Sequence, residues 1–193
     1  MPRRVIRVGG SLLTWNAFVP AMNNWLASET SGTEIFIVGG GPWVELLRQA
    51  SRRFDLVESA AHWNCVRAMS VTSELLANVM GWPIIRSFHE IETLNGEVRV
   101  VFDVLDFLEN ASVDDPASAL PARWAVTSDS ISAHVAATLG ADELVILKSQ
   151  MPPSTNISEL AELGYVDTWF PVAAKGQDHV RFVNLRSFSG QET

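Results

Sequence analysis

Apolar residues enter this chain as short, nearly unbroken runs separated by longer stretches with helical spacing. Val5-Ile6-Arg7-Val8, Ile35-Phe36-Ile37-Val38 and Leu144-Val145-Ile146-Leu147 are the clearest runs. Short apolar runs of this kind read as strands covered on both faces, the pattern of a parallel sheet. They predict strands over 4–8, 34–38 and 144–147. Further strands are expected at Pro83-Ile84-Ile85, at 96–102 after the Asn95-Gly96 turn, and at Arg181–Leu185.

Between the runs the spacing changes to that of helices. Phe18, Met22, Trp25 and Leu26 mark a helix from about Trp15 to Ser28. Pro42 sits just inside a second helix, where its missing N–H costs nothing. A long helical pattern, interrupted or re-capped along the way, runs from Glu58 to Met80. Asp129–Leu139 forms another helix, with Gly140 as its C-cap. Residues 103–109 fit a short helix or a bent strand, and Asn110–Pro121 reads as a polar surface loop. Beyond Lys148 no clear pattern returns until the last strand. Strands alternating with helices imply an α/β fold, a three-layer αβα sandwich around a mostly parallel sheet. One domain is expected over 1–193, without repeats or linkers.

Two of the strands end in glycines. Val8 leads into Gly9-Gly10-Ser11, and Val38 leads into Gly39-Gly40-Gly41. Each reads as a strand that stops at a bare-backbone turn and enters a helix. Backbone N–H groups in such a turn can close on an anion, assisted by the positive end of the helix. A tight turn alone also explains glycine, although a simple turn seldom needs three. Neither segment is a Walker A or a GxGxxG fingerprint.

Composition narrows the functional classes. The net charge is −8, from 22 acidic and 14 basic residues, which disfavours nucleic acid or an anionic membrane as the main partner. The single cysteine, Cys65, excludes an intramolecular disulfide and a multi-cysteine zinc site. The short apolar run behind Met1-Pro2-Arg3-Arg4 breaks at Gly9-Gly10 and is not a signal peptide. No apolar stretch approaches the ~20 residues of a membrane span. A cytoplasmic protein is the expectation.

Several residues carry candidate chemistry. Arg7 interrupts an apolar strand, so it is either buried and paired or points outward to solvent. Thr127 or Ser128 can cap the helix that follows, and Asp129 in its first turn suits the helix dipole. That capping role would account for the stretch without catalysis. His62 sits on the long helix, and His89, His134 and His179 show no metal-ligand spacing, so no metal site is expected. The two lysines are Lys148 and Lys175.

Taken in order, these segments resemble the amino acid kinase family, which includes acetylglutamate, aspartate, uridylate and carbamate kinases. Arg7-Val8-Gly9-Gly10-Ser11 is similar to the family's Lys-x-Gly-Gly-Ser, Gly39-Gly40-Gly41-Pro42 to its second glycine loop, and Thr127-Ser128-Asp129-Ser130 to its Asp-bearing helix start. The resemblance covers about residues 4–150. Within the family, Trp124–Ser130 looks like a branch from methanogens and C1-metabolising bacteria. That branch phosphorylates an aminomethyl-furanmethanol phosphate during methanofuran biosynthesis. His62, Val166–Pro171 with Lys175, and Val183–Arg186 add to this likeness.

The resemblance implies an amino acid kinase fold and in-line phosphoryl transfer from ATP with Mg2+. It implies that Gly9, Gly10, Ser11 and Lys148 hold the nucleotide, and that Gly39, Gly40, Gly41, His62, Thr127 and Ser128 hold the acceptor. Arg7, Lys175 and Asp129 would be catalytic, the two cations supplying charge and Asp129 orienting them. It further implies a small-molecule acceptor. A homo-oligomer, a dimer, is expected, with exposed tryptophans such as Trp15, Trp25 or Trp63 marking the contact, since aromatic residues are enriched at interfaces. Two departures stand out. The family's first-strand lysine is Arg7 here, and its Thr-Asp-x-Asp-Gly segment after the fifth strand is replaced by Lys148–Ser154 in a shortened C-terminal part, about 148–193. A non-catalytic homologue that binds a ligand or partner subunit is the alternative expectation.

Overall fold

The computed structural model describes residues 1–114 and 119–190. Six strands form one all-parallel sheet: β1 (Arg3–Val8), β2 (Thr33–Val38), β3 (Ile84–Ile85), β4 (Val98–Phe102), β5 (Glu143–Lys148) and β6 (Val180–Asn184), in the order β3-β4-β2-β1-β5-β6. Strand β1 is central, with Val8 level with Val38 on one side and Leu147 on the other.

Alternation along the strands divides the interior into two cores. Ile6, Val8, Phe36, Val38, Val145 and Leu147 face α1 (Phe18–Ser28), whose Met22, Trp25 and Leu26 are buried on them. Val5, Ile35, Ile37, Leu144 and Ile146 face the opposite layer. There they meet α3 (Glu58–Met80) through Val66 and Met69, and α6 (Ser128–Leu139) through Ile131, Val135 and Ala136. Both faces are covered, which is why the strand sequences read as apolar runs. Arg7 falls in the Val5 row, so it points towards the α6 layer.

The expected strands and the main helices are present, with informative differences. After β1 the chain forms a 3-10 turn, Gly10–Thr14, before α1 begins at Phe18. Helix α2 (Gly41–Arg53) starts directly from the second glycine loop. Helix α3 is continuous over 23 residues, because no Gly or Pro interrupts it before Gly81, which takes a left-handed φ of 70°. Residues 105–114 form a helix, α5 (Leu105–Asp114), so the expected loop at 110–121 is helical in its first part. Asp103 starts that helix by accepting the Leu105 N–H at 3.3 Å. Residues 115–118 of the same expectation lie outside the described residues. Three short helices carried no periodic signal: α4 (Phe88–Thr93), α7 (Ile157–Glu162) and α8 (Phe170–Ala173).

An ionic network spans the N-terminal edge of the sheet. Arg4 of β1 pairs with Glu34 of β2 and with Glu29 at the end of α1. Glu34 also pairs with Arg99 of β4, and Arg181 of β6 bridges Glu29 and Glu143 of β5. Glu34 and Arg4 are 1% and 4% exposed at their side chains, so these charges are stable only because they are paired. No helix among the described residues is long and apolar enough to cross a membrane.

Candidate active site

The opposite edge of the sheet, where β1, β2 and β5 end, opens into a cavity of about 300 Å³. It lies where the chain order runs outward from β1 in both directions, the place where open parallel sheets take ligands. The two glycine loops form its floor, and the start of α6 forms a wall.

The glycines are explained first by their contact with each other. A Cβ on Gly10 would stand 2.1 Å from the Gly39 carbonyl oxygen and 2.2 Å from the Gly41 nitrogen. Gly41 has φ of +54°, and a Cβ there would meet the Gly10 oxygen at 2.6 Å. A Cβ on Gly39 would stand 2.7 Å from Ser128 Oγ and 3.1 Å from the Arg7 guanidinium. The loops are therefore stacked on one another and on α6, and both line the cavity. Only the second leads into an α-helix, so a helix-dipole contribution belongs to Gly39–Gly41 and not to Gly9–Ser11.

Arg7 is inward and paired. Its Nε lies 3.0 Å from Asp129 Oδ1, and its guanidinium donates to Ser128 Oγ at 2.9 and 3.2 Å. The hydrogens are directed at Ser128, so the Asp129 contact is one of charge. The buried Oδ1 keeps an unfilled acceptor site. Asp129 Oδ2 accepts from Lys148 Nζ at 3.1 Å. Lys148 also donates to the Tyr165 carbonyl and stands 4.8 Å from that ring's centre. Burial pushes the Lys148 ammonium below its ordinary pKa, opposed by Asp129 and reinforced by the Arg7 charge. One carboxylate thus holds two cations against the cavity.

The start of α6 is fixed from a distance. Thr127 occupies the N-cap position but makes no side-chain cap bond. Asp167 does that work: its carboxylate accepts from the Thr127 and Ser130 N–H groups at 2.9 and 3.0 Å, from Thr127 Oγ1 at 2.7 Å, and from the Ser130 hydroxyl. Asp129 is thereby released from capping and left to the cations.

Gly9, Gly10, Ser11, Gly39, Gly40, Gly41, His62, Thr127, Ser128, Arg7 and Lys148 all line the cavity, with Asp129 behind Arg7 and Lys148. Lys175 does not. It is exposed beyond α8, and Gln177 two residues later donates to the Ala141 carbonyl at the N-terminal end of β5. That is the end of the sheet away from the cavity, so the second cation at Asp129 is Lys148. His62 is buried, with Nδ1 3.1 Å from the Arg123 oxygen, and burial pulls its pKa below 6.5. Trp25 is 1% exposed, and Trp15 and Trp63 pack on the cores, so the exposed apolar side chains lie elsewhere, among them Trp43, Leu46, Phe54 and Val57. Trp124, the first residue of the Trp124–Ser130 segment, lines the cavity too, as do Arg48 and Arg123, which no local motif singles out.

The donor set suits a polyphosphate. Four cationic side chains and the backbone of two glycine loops face the cavity, and none of its lining residues is a carboxylate. A protein-held metal fits less well, since no group of three or more His, Cys, Asp or Glu among the described residues is placed to bind one.

No protein-family model matches the chain. Among curated proteins, [5-(aminomethyl)furan-3-yl]methyl phosphate kinase from Methanocaldococcus jannaschii is 23% identical over 184 residues, covering 89% of this chain and 82% of that protein. Among solved structures, uridylate kinase from Archaeoglobus fulgidus superposes with a TM-score of 0.61 at 15% identity, covering 97% of this chain and 94% of that one. UMP kinase from Bacillus anthracis gives 0.64 at 11% identity, covering 96% and 88%. With the sheet order, these likenesses show that the chain has the fold of the amino acid kinases.

Proposed function

We propose that the protein is an ATP-dependent small-molecule kinase whose acceptor carries a phosphate, with [5-(aminomethyl)furan-3-yl]methyl phosphate the first candidate. The observation that carries this reading is Asp129 holding Arg7 and Lys148 together at the mouths of two touching glycine loops. Gly9, Gly10 and Ser11 hold the nucleotide phosphates, and Gly39–Gly41 with Ser128 hold the acceptor. An acceptor oxygen forms a bond to the terminal phosphorus while the bond to the bridging oxygen breaks, and ADP leaves. Arg7 and Lys148 offset the charge on the transferring group, already positioned before it develops. Magnesium would neutralise nucleotide charge when bound, and it arrives with the nucleotide rather than on a carboxylate cluster of the chain.

The non-catalytic alternative is not favoured, because the replacement of the acidic segment after Leu147 supplies Lys148, a cation held by the site's own carboxylate. We read the chain as one domain, cytoplasmic, and self-associating. The test is ADP release with ATP, Mg2+ and the furan phosphate. Arg7→Ala and Asp129→Asn each lower turnover by about 100-fold or more, as expected for groups acting on transition-state charge. Full activity in both variants sinks the assignment.

A further inference from the structure

Four cationic side chains line the cavity, and they form two pairs of different character. Arg7 and Lys148 share Asp129, so that trio presents one net positive charge. Arg48 and Arg123 belong to the other side. β2 and β5 flank β1 on opposite sides, so α2, which follows β2, and Lys148, which ends β5, stand on opposite sides of the β1 loop.

Arg48 sits two helical turns into α2, with its guanidinium carbon 5.9 Å from the centre of the Trp124 ring. The carboxylate it approaches is Glu45, 3.8 Å away on the same helix and half exposed. Arg123 immediately precedes Trp124, and its carbonyl meets His62. No carboxylate among the described residues lies within 4 Å of the Arg123 side chain. In a chain of net charge −8, two arginines at a cavity wall without a buried counter-charge are free to engage an external anion.

We propose that Arg48 and Arg123, beside the Trp124 ring, clamp the phosphate of the acceptor and thereby select a phosphate monoester on a flat ring over the corresponding alcohol. The proposal rests on the kinase reading, which brings two phosphate groups into one cavity. One net positive charge at Asp129 cannot offset both. A second cationic pair on the acceptor side removes the repulsion between donor and acceptor and gives planar, two-pronged donors for phosphate oxygens. Trp124 supplies the flat face and holds Arg48 extended.

Calorimetric titration of the full chain, without nucleotide, tests this with [5-(aminomethyl)furan-3-yl]methyl phosphate and with the alcohol that lacks its phosphate. The phosphate binds and the alcohol is weaker by about 30-fold or more, given charge-assisted contacts to two arginines. Arg48→Gln and Arg123→Gln each weaken the phosphate by about ten-fold or more, while Arg48→Lys recovers part of the loss. ATP affinity, titrated in the same variants, stays within about two-fold, because neither arginine pairs with Asp129, Arg7 or Lys148. Equal binding of phosphate and alcohol, unchanged affinity in both glutamine variants, or no binding of the phosphate overturns the clamp. Failure of the kinase reading shows separately, as absent ATP binding in the unaltered protein.

Discussion

Lys148, at the end of β5, meets Asp129, in the first turn of α6, at 3.1 Å across 19 residues of sequence. This contact makes the lysine after the strand a member of the site. On the proposed kinase reading, Lys148→Met lowers turnover by about 100-fold or more, the scale of losing a fixed charge at a reacting phosphoryl group. Lys175→Met, altering an exposed residue at the far end of the sheet, changes turnover by less than about two-fold. Steady-state rates of the two variants decide which lysine belongs to the chemistry; a reversed pattern restores Lys175.

Gly10 has no room for a side chain, since a Cβ would overlap the backbone of Gly39 and Gly41. Gly10→Ala must part the two loops and costs about 3 kcal/mol or more, as overpacking against backbone does. Gly81→Ala meets nothing within 4 Å and suffers only its left-handed φ of +70°, about 1 kcal/mol. Urea unfolding of both variants measures the difference. Similar losses would show that the loops are not in mutual contact.

His62 ties stability to pH. Its folded pKa is below 6.5 because burial penalises the imidazolium, while the unfolded chain takes up a proton near the ordinary value. Between those two pKa values the unfolded state binds more protons, so stability falls as pH drops through 6.5 and levels off below the folded pKa. At neutral pH the effect is absent. His62→Gln keeps a donor for the Arg123 carbonyl and removes the titration. Between pH 7.5 and 5.5 the unaltered protein loses more stability than this variant in urea unfolding. His134, whose pKa burial also lowers, is present in both and cancels. Identical pH slopes would place His62 in solvent.

The sheet could be read from sequence because both of its faces are covered, which leaves strands such as Ile35–Val38 apolar throughout. That same coverage hid the direction of Arg7. On a sheet buried on both faces, alternation does not say which face a lone charge takes, and only α6 standing over the Val5 row decides it. The start of α6 was visible as a cap signal, but the cap itself is Asp167, 40 residues beyond Thr127, and no local pattern reports a partner at that distance. Helices α7 and α8 have six and four residues, too few for an apolar period to show. Arg48 and Arg123 were missed for a related reason. Each is an ordinary arginine in its own segment and gains meaning only when α2 and the approach to α6 close on one cavity.

The ionic network that joins Arg4, Glu34, Arg99, Glu143 and Arg181 ties five of the six strands at the edge opposite the glycine loops. Fastening and chemistry are thus kept at opposite rims. Amide hydrogens near Arg4 and Glu34 will resist deuterium exchange longest, whereas those of Gly9–Ser11 and Gly39–Gly41 will exchange through small local openings. The protein can therefore loosen its reactive rim during each turnover without loosening its fold.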